Sequence, residues 1–313
     1  MPPILKMSMY KSFSTFPSLC ATPLSNMNKP VVSVIIPTYH RPTALQQCLD
    51  SLYKQDADPS VFEVIVVNDG GCDITPVIDS FPSFTGLCQI KQTNAGPASA
   101  RNHGARLATG TYLAFLDDDC TPKPDWVSSI IKHATTGTLI GGKVINQLDD
   151  NVFAEACQTL IDFLYLHLAG SSDLFFTSNN LIIAHSDFQR IGGFDTSFRT
   201  SAGEDRELCI RAERRRLTLI HIPDIRIGHS HDMDLMHFMR LHTKYGRATH
   251  TYRRRLAMLP RARRNAPSGF YRGLLLYPFR ANLRSPWSQM TLLALSQACT
   301  FWGYMIERYG NRR

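Results

Sequence analysis

An apolar run of five residues, Tyr112–Leu116 (Tyr-Leu-Ala-Phe-Leu), delivers the chain into three consecutive aspartates, Asp117, Asp118 and Asp119. The run is too short for a stable helix and reads as a strand covered on both faces, with Pro122 stopping its extension. A strand covered on both faces calls for a sheet with a layer on each side. Three carboxylates at the end of such a strand repel one another and raise one another's pKa unless a cation sits among them. Hard oxygen ligands of this kind suit Mg²⁺ or Mn²⁺, which keep positions open for phosphate oxygens. Taken alone, the stretch is equally readable as a solvated acidic turn, so its neighbours decide.

Upstream, residues 31–37 form a β-branched run bounded by Pro30 and Pro37, a buried parallel strand. Thr38, Tyr39, His40 and Arg41 follow as a loop. Pro42 then opens an amphipathic helix with Leu45, Cys48, Leu49 and Leu52 at helical spacing. Residues 62–67 read as a second strand, ending in Asn68-Asp69-Gly70-Gly71. This strand–helix–strand unit predicts an α/β fold with ligands beyond the carboxyl ends of its strands. Thr38, Tyr39 and Asp69 therefore open onto the rim that carries Asp117. Asp69 suits an acceptor for a base edge or a ribose, against its plainer reading as an Asp-Gly turn residue. Residues 94–104 are a loop entering a small-residue helix. Gly96-Pro97 permits close backbone approach, and the helix N-terminus with Arg101 offers positive potential to phosphates.

In this order, Val-Ser-Val-Ile-Ile-Pro-Thr-Tyr, Val-Ile-Val-Val-Asn-Asp-Gly-Gly, Asn-Ala-Gly-Pro-Ala-Ser-Ala-Arg-Asn and Phe-Leu-Asp-Asp-Asp-x-x-Pro resemble a family 2 glycosyltransferase. The resemblance covers about residues 31–230. It implies a GT-A fold, that is, a Rossmann-like mixed, mostly parallel sheet flanked by helices. It also implies inverting transfer from a nucleotide-sugar donor to a hydroxyl acceptor such as a glycan, polysaccharide or lipid-linked glycan. One departure is Asn68, where the family often has an aspartate. By resemblance, Pro37, Thr38, Tyr39, Arg41, Asp69, Gly96, Arg101, Asp117 and Asp118 form the donor site, with Asp118 facing the ribose. Asp117 and Asp119 are the Asp-x-Asp pair that holds Mg²⁺ or Mn²⁺ on the diphosphate. A divalent ion there stabilises the charge of the departing nucleoside diphosphate.

Residues 177–183 read as a short strand carrying polar residues to the cleft, and Gly203-Glu204-Asp205-Arg206-Glu207 as the opening of a helix. The family shows an acceptor-side loop and a Glu-Asp helix in these places. Asn179, Asn180 and Glu204 then fall on the acceptor side, and Asp205 is the general base. The alternative for the Glu-Asp pair is ordinary first-turn acid favoured by the helix dipole. The family often has a histidine 20 to 25 residues beyond that pair. His229 fits and completes the metal shell, with His231 as its competitor. A nucleotidyltransferase would leave the Glu-Asp helix without a purpose. A catalytically silent nucleotide-sugar-binding module would be expected to have lost Asp119 or Asp205.

Charge divides the 313 residues unevenly. From residue 206 onward 21 Lys and Arg stand against 6 Asp and Glu, in a chain of net +8, so the first 205 residues are net negative. The basic part calls for something anionic. Nucleic acid is not expected, because no stacking module or groove-reading motif accompanies the arginines. Residues 235–256 read as a basic helix, followed by Arg261, Arg263 and Arg264. Residues 290–306 form an apolar, aromatic-rich run that is short for a bilayer span. A helix lying in a membrane interface, a helix packed on the catalytic domain and a true span are the three readings. The expected organisation is a disordered leader at 1–29, a catalytic domain at 30–232 and a basic helical extension at 233–313. The 8 cysteines show no Cys-x-x-Cys pair, which speaks for a reducing compartment and against a zinc site. The expected location is cytoplasmic, peripheral on the inner face of the membrane.

Overall fold

A computed structural model describes residues 29–84, 86–171, 173–198, 202–257 and 269–310. In chain order the first half carries β1 (Val32–Thr38), α1 (Pro42–Tyr53), β2 (Phe62–Asn68), α2 (Thr75–Asp79), β3 (Leu87–Lys91), α3 (Pro97–Leu107), β4 (Tyr112–Leu116), β5 (Cys120–Pro122) and α4 (Trp126–His133). The second half carries β6 (Thr138–Asn146), α5 (Val152–Leu168), β7 (Asn180–Ala184), α6 (His185–Ile191), α7 (Glu204–Arg214), β8 (Thr218–His229), α8 (Leu235–Ala257), α9 (Phe270–Arg280) and α10 (Pro286–Gly310). Residues 1–28 of the expected leader, and Arg261, Arg263 and Arg264, lie outside the described residues.

The strands form one sheet in the order β3-β2-β1-β4-β7-β6-β8-β5. β1 pairs in parallel with β2 and β4, and β2 in parallel with β3. β7 then runs antiparallel between β4 and β6, while β8 runs parallel to β6. Strand order reverses at β1, so the carboxyl ends of β1 and β4 flank a switch point where the sheet opens a crevice. Alternation explains the unbroken apolar runs. Ile36, Val66 and Leu116 face Leu45, Leu49 and Trp126 on one side. On the other, Ile35, Val67 and Phe115 face Ala98 and Ala105. α3 lies so close to the sheet that a Cβ at Gly104 would sit 2.6 Å from Ile35 Cγ2, which accounts for its small residues.

Pro122 does not end the strand system, contrary to the sequence reading. The Cys120 N–H donates to the Asp117 carbonyl at 3.1 Å, a tight turn across the aspartates. The chain then re-enters the sheet as β5, antiparallel to β8, with Cys120 opposite His229 and Pro122 opposite Ile227. β5 is the edge strand, where a proline's missing N–H costs no ladder bond. This short pairing brings Asp119 beside His229.

The C-terminal helices pack on the rest of the fold. Ala156 of α5, Phe238 of α8 and Leu292 of α10 share one apolar cluster. Phe163 of α5, Leu274 of α9 and Leu293 of α10 share another. α8 and α10 cross at a pair of glycines: a Cβ on Gly246 would collide with the Thr300 carbonyl, and one on Gly303 with the Thr243 carbonyl. Backbone cannot yield there as a side chain would. Gly303→Val is accordingly expected to destabilise the protein by about 2–4 kcal/mol, seen as a lower Tm. An unchanged Tm would mean the two helices are not held at this crossing. Among the described residues no helix is long and apolar enough to cross a membrane.

Candidate active site

The three aspartates leave β4 on the rim above the switch point, and each meets a cation. Arg41 Nη2 lies 2.6 Å from Asp118 Oδ1, and its Nη1 lies 2.6 Å from Asp119 Oδ2. Arg101, on α3, donates from Nη2 to Asp117 Oδ1 at 2.6 Å and from Nη1 to Glu204 Oε1 at 3.2 Å. The middle carboxylate points inward. Asp118 is fully buried and accepts a hydrogen bond from Thr38 Oγ1 at 2.7 Å. Burial pushes its carboxyl up to about 7, against the pull of Arg41 and Thr38.

Asp119 behaves in the opposite way. Burial would raise its pKa, but the hydrogen bond and charge of His229, with Arg41 and His231, hold it well below the usual carboxylate range. His229 Nε2 lies 3.5 Å from Asp119 Oδ1. Burial depresses the imidazole, and Asp119 more than compensates, so the His229 pKa is raised. His231 goes the other way, pushed down to about 4 by burial and by the charge of His229. The two histidines are thereby distinguished, and His229 is the one aimed at the acid.

Among the described residues, Asp119, Cys120 and His229 offer ligand atoms within 4.8 Å of one another. Burial and the aspartates push the Cys120 thiol well above its ordinary value, so it stays protonated and donates to Asp119 Oδ1 at 3.8 Å. A protonated thiol is a poor partner for a hard cation. The carboxylate and imidazole fit one well, and the acid cluster already gathers Arg41, Arg101 and His229 around it. Asp117 pairs with Arg101 beside this group, and its charge acts on His229.

These groups open into a cavity of about 350 Å³. Arg41, Arg101, Asp117, Asp119, Asn179, Glu204, Asp205 and His229 all line it. Segments separated by up to 204 positions, from Arg41 to Tyr245, thus meet at one place. Glu204 and Asp205 differ although adjacent. Gly203, at φ 91°, turns the chain into α7, whose first turn carries Glu204, Asp205 and Glu207. Glu204 is buried, held by Arg101 and by the Ala202 N–H at 2.8 Å. Among the described residues Asp205 accepts the Arg206 N–H at 2.7 Å and forms no ion pair, while the charges of Arg101 and Arg206 act on it from further off. Burial, then the neighbouring Glu204, raise its pKa to about 7.

Other expected residues serve the framework of the site. Asp69 is buried and accepts from Gln92 Nε2 at 2.7 Å, Ala95 N–H at 2.9 Å and Gly96 N–H at 2.9 Å. It ties the end of β2 to the loop that begins α3, where Gly96 has φ 89°. Asn180 is likewise buried. Its amide donates to the carbonyls of Ile225 at 2.9 Å and Lys143 at 3.2 Å, and its oxygen accepts from Trp126 Nε1 at 3.0 Å. A register shift between β6 and β8 falls at Gly142/Lys143, and Asn180 bonds a carbonyl of each strand beside it. Pro37 and Thr38 end β1, and Tyr39 stands half exposed beyond it. None of these residues lines the cavity. Lys244 and Tyr245 of α8 do, as do His231 and His237. No local signal marks the α8 pair, because a lysine and a tyrosine on a long basic helix look like part of a solvated or membrane-facing stripe.

Residues 33–195, just over half of the chain, match the family model described as Glycosyl transferase family 2. Validoxylamine A glucosyltransferase of Streptomyces hygroscopicus subsp. limoneus is 30% identical over 225 residues, which cover 60% of this chain and 49% of that protein. Pre-mycofactocin glycosyltransferase of Mycobacterium tuberculosis is 28% identical over 228 residues, covering 69% and 46%. The chain spans about half the length of these curated relatives. Among solved structures, the mannosyltransferase PcManGT from Pyrobaculum calidifontis, in complex with GDP-Man and Mn²⁺, has a TM-score of 0.64 at 17% identity and covers 95% of this chain and 92% of that one. S. aureus TarS 1-349 in complex with UDP-GlcNAc has a TM-score of 0.51 at 16% identity, covering 90% and 91%. At these identities the likeness is one of fold, and that fold is GT-A.

Proposed function

The chain belongs to glycosyl transferase family 2, and from that premise we propose that it is an inverting, divalent-metal-assisted transferase. It moves a sugar from a nucleotide-diphospho-sugar to a hydroxyl acceptor. The observation that carries this reading is the single cavity lined by Asp117, Asp119, Glu204, Asp205 and His229. Asp119 and His229 would hold the cation, with Asp117 beside them. Mg²⁺ and Mn²⁺ both suit such a donor set. When bound, the cation stabilises the charge of the leaving diphosphate. Thr38, Tyr39 and Arg41 form the donor's base and ribose side, with Asp118 behind them. Asp69 and Gly96 shape the loop that leads to Arg101, which faces the diphosphate.

Asp205 is the general base and takes the proton of the acceptor hydroxyl. The acceptor oxygen bonds to the anomeric carbon as the bond from that carbon to the diphosphate breaks, so configuration inverts. Glu204 is clamped by Arg101 and does not compete for the proton. Asn179 lines the acceptor side, while Asn180 supports the sheet beneath it. The acceptor is a glycan or a lipid-linked glycan. Exposed Trp287, Phe301 and Trp302 on α10, with Arg240 and Arg247 of α8, suit peripheral contact with an anionic membrane surface.

Equilibrium titration with UDP-, GDP- and dTDP-sugars, in Mn²⁺ and then in chelator, tests the reading. One base is expected to bind in the micromolar range and to lose most of its affinity on chelation. Failure of all three donors to bind in Mn²⁺ would contradict the proposal.

A further inference from the structure

A second cavity, of about 680 Å³, adjoins the catalytic one and shares Ala202 and Lys244 with it. Its floor is one face of α8, where Arg240, Lys244 and Arg247 follow at i, i+4 and i+7. That spacing lays a basic stripe about 10 Å long beneath the groove. Among the described lining residues only Glu307 of α10 opposes it in charge. Apolar surface lies alongside, from Met236 and Met239 on α8 and Trp302 on α10; Met236 is 53% and Trp302 64% exposed. The Lys244 ammonium is depressed by burial and supported by the charge of Glu204, so it stands at the junction between the groove and the catalytic acids.

The donor's diphosphate already has its place at the far end, with Asp117, Asp119 and Arg101. A basic, partly apolar groove entering from the Glu204–Asp205 side is left for the other substrate. We propose that this groove is the acceptor subsite, and that the acceptor carries a phosphate on an apolar chain. This rests on the transferase reading above. Arg240 and Arg247 hold the phosphate, Lys244 guides the hydroxyl-bearing end past Ala202 to Asp205, and the apolar chain lies on Met236, Met239 and Trp302. The phosphate is an anchor. A phosphate oxygen is already anionic and would have no use for a base, so the group that reacts at Asp205 is a hydroxyl further along the acceptor.

Calorimetric titration of the full chain with decyl phosphate, decyl glucoside and inorganic phosphate tests this, with UDP- and GDP-sugar binding in Mn²⁺ measured alongside. Decyl phosphate is expected to bind at least about ten-fold more tightly than either single-feature probe. The Arg240→Gln/Arg247→Gln variant should lose about ten-fold or more of that affinity, because two charge-assisted contacts go. Its donor affinity and Tm should match those of the parent. Trp302→Ala should weaken decyl phosphate and leave inorganic phosphate unaffected. Equal binding of decyl glucoside and decyl phosphate would overturn the anionic anchor, as would undiminished decyl phosphate binding in the arginine variant. Equal binding of inorganic and decyl phosphate would overturn the amphipathic acceptor. Absence of donor binding in the parent would instead contradict the transferase reading, so the two failures are read on separate titrations.

Discussion

Asp205→Asn is expected to lower sugar transfer by about 10²–10⁴-fold while leaving donor affinity within about two-fold of the parent, the range for removal of a positioned base. Asparagine keeps the size and the acceptor oxygen that receives the Arg206 N–H, so α7 should start as before. What disappears is the basic lone pair. The same carboxylate predicts the pH profile. With its pKa raised to about 7, Asp205 is protonated below that pH, and kcat/KM should fall on the acid side with an apparent pKa near 7.

Stability should move the other way. A folded-state pKa above the unfolded value of about 3.9 means the folded protein keeps a proton that the unfolded chain releases. The resulting stability is present at low pH and is lost as pH rises through about 7. Asp205→Asn is therefore expected to raise Tm at pH 8 and to change it little near pH 4. Loss of transfer together with a lower Tm at pH 8 would point to a structural role. Retained transfer would remove Asp205 from the mechanism.

The second large effect is expected at Asp119. Asp119→Ala should abolish the metal-dependent part of donor binding. Losing an outer-shell partner of a metal ligand costs about 10–100-fold in affinity, so losing the ligand itself should cost at least about 100-fold. The variant's remaining donor affinity should match that of the parent in chelator. Asp119 Oδ2 also receives Arg41, which would then retain Asp118 as its partner, so the rim should keep its shape. Donor binding that still responds fully to Mn²⁺ in this variant would relocate the cation. His229→Ala is expected to give the same pattern, because His229 lies 3.5 Å from Asp119 and would hold the same cation.

The resemblance of the four short motifs correctly implied the family and the GT-A sheet. Three of the motifs lie on strands buried on both faces, which write themselves as continuous apolar runs followed by polar residues at the rim, and the fourth opens α3. Residues 31–37, 62–67 and 112–116 accordingly match β1, β2 and β4 to within one residue. Less legible was what happens after the rim. β5 is three residues long and exists because β8 offers it an edge, and nothing within Cys120–Pro122 announces that pairing.

Likewise, Asn180 and Asp69 are polar residues at the ends of strands, a position from which a side chain can face a ligand or mend the backbone. Asn180 bonds the carbonyls of Ile225 and Lys143 beside a register shift some forty residues away in sequence. The loop before α3 engaged both oxygens of Asp69. The apolar run at 290–306 was open to three readings. In the structure it lies within α10, packed against α5 and α8, and the close fit of Gly303 to the Thr243 carbonyl determines that contact.

The sequence alone determined β1, β2 and β4, their order along the chain and the polar residues at their tips, because burial on both faces and helix-start chemistry are local properties of a few adjacent residues. Only the tertiary structure decided which cation meets which carboxylate, that Glu204 is clamped by Arg101 while Asp205 beside it forms no ion pair among the described residues, and that Lys244 reaches the cavity from α8. Those outcomes depend on distances between residues far apart in the chain, and a carboxylate's pKa is set by the charges and burial around it in space.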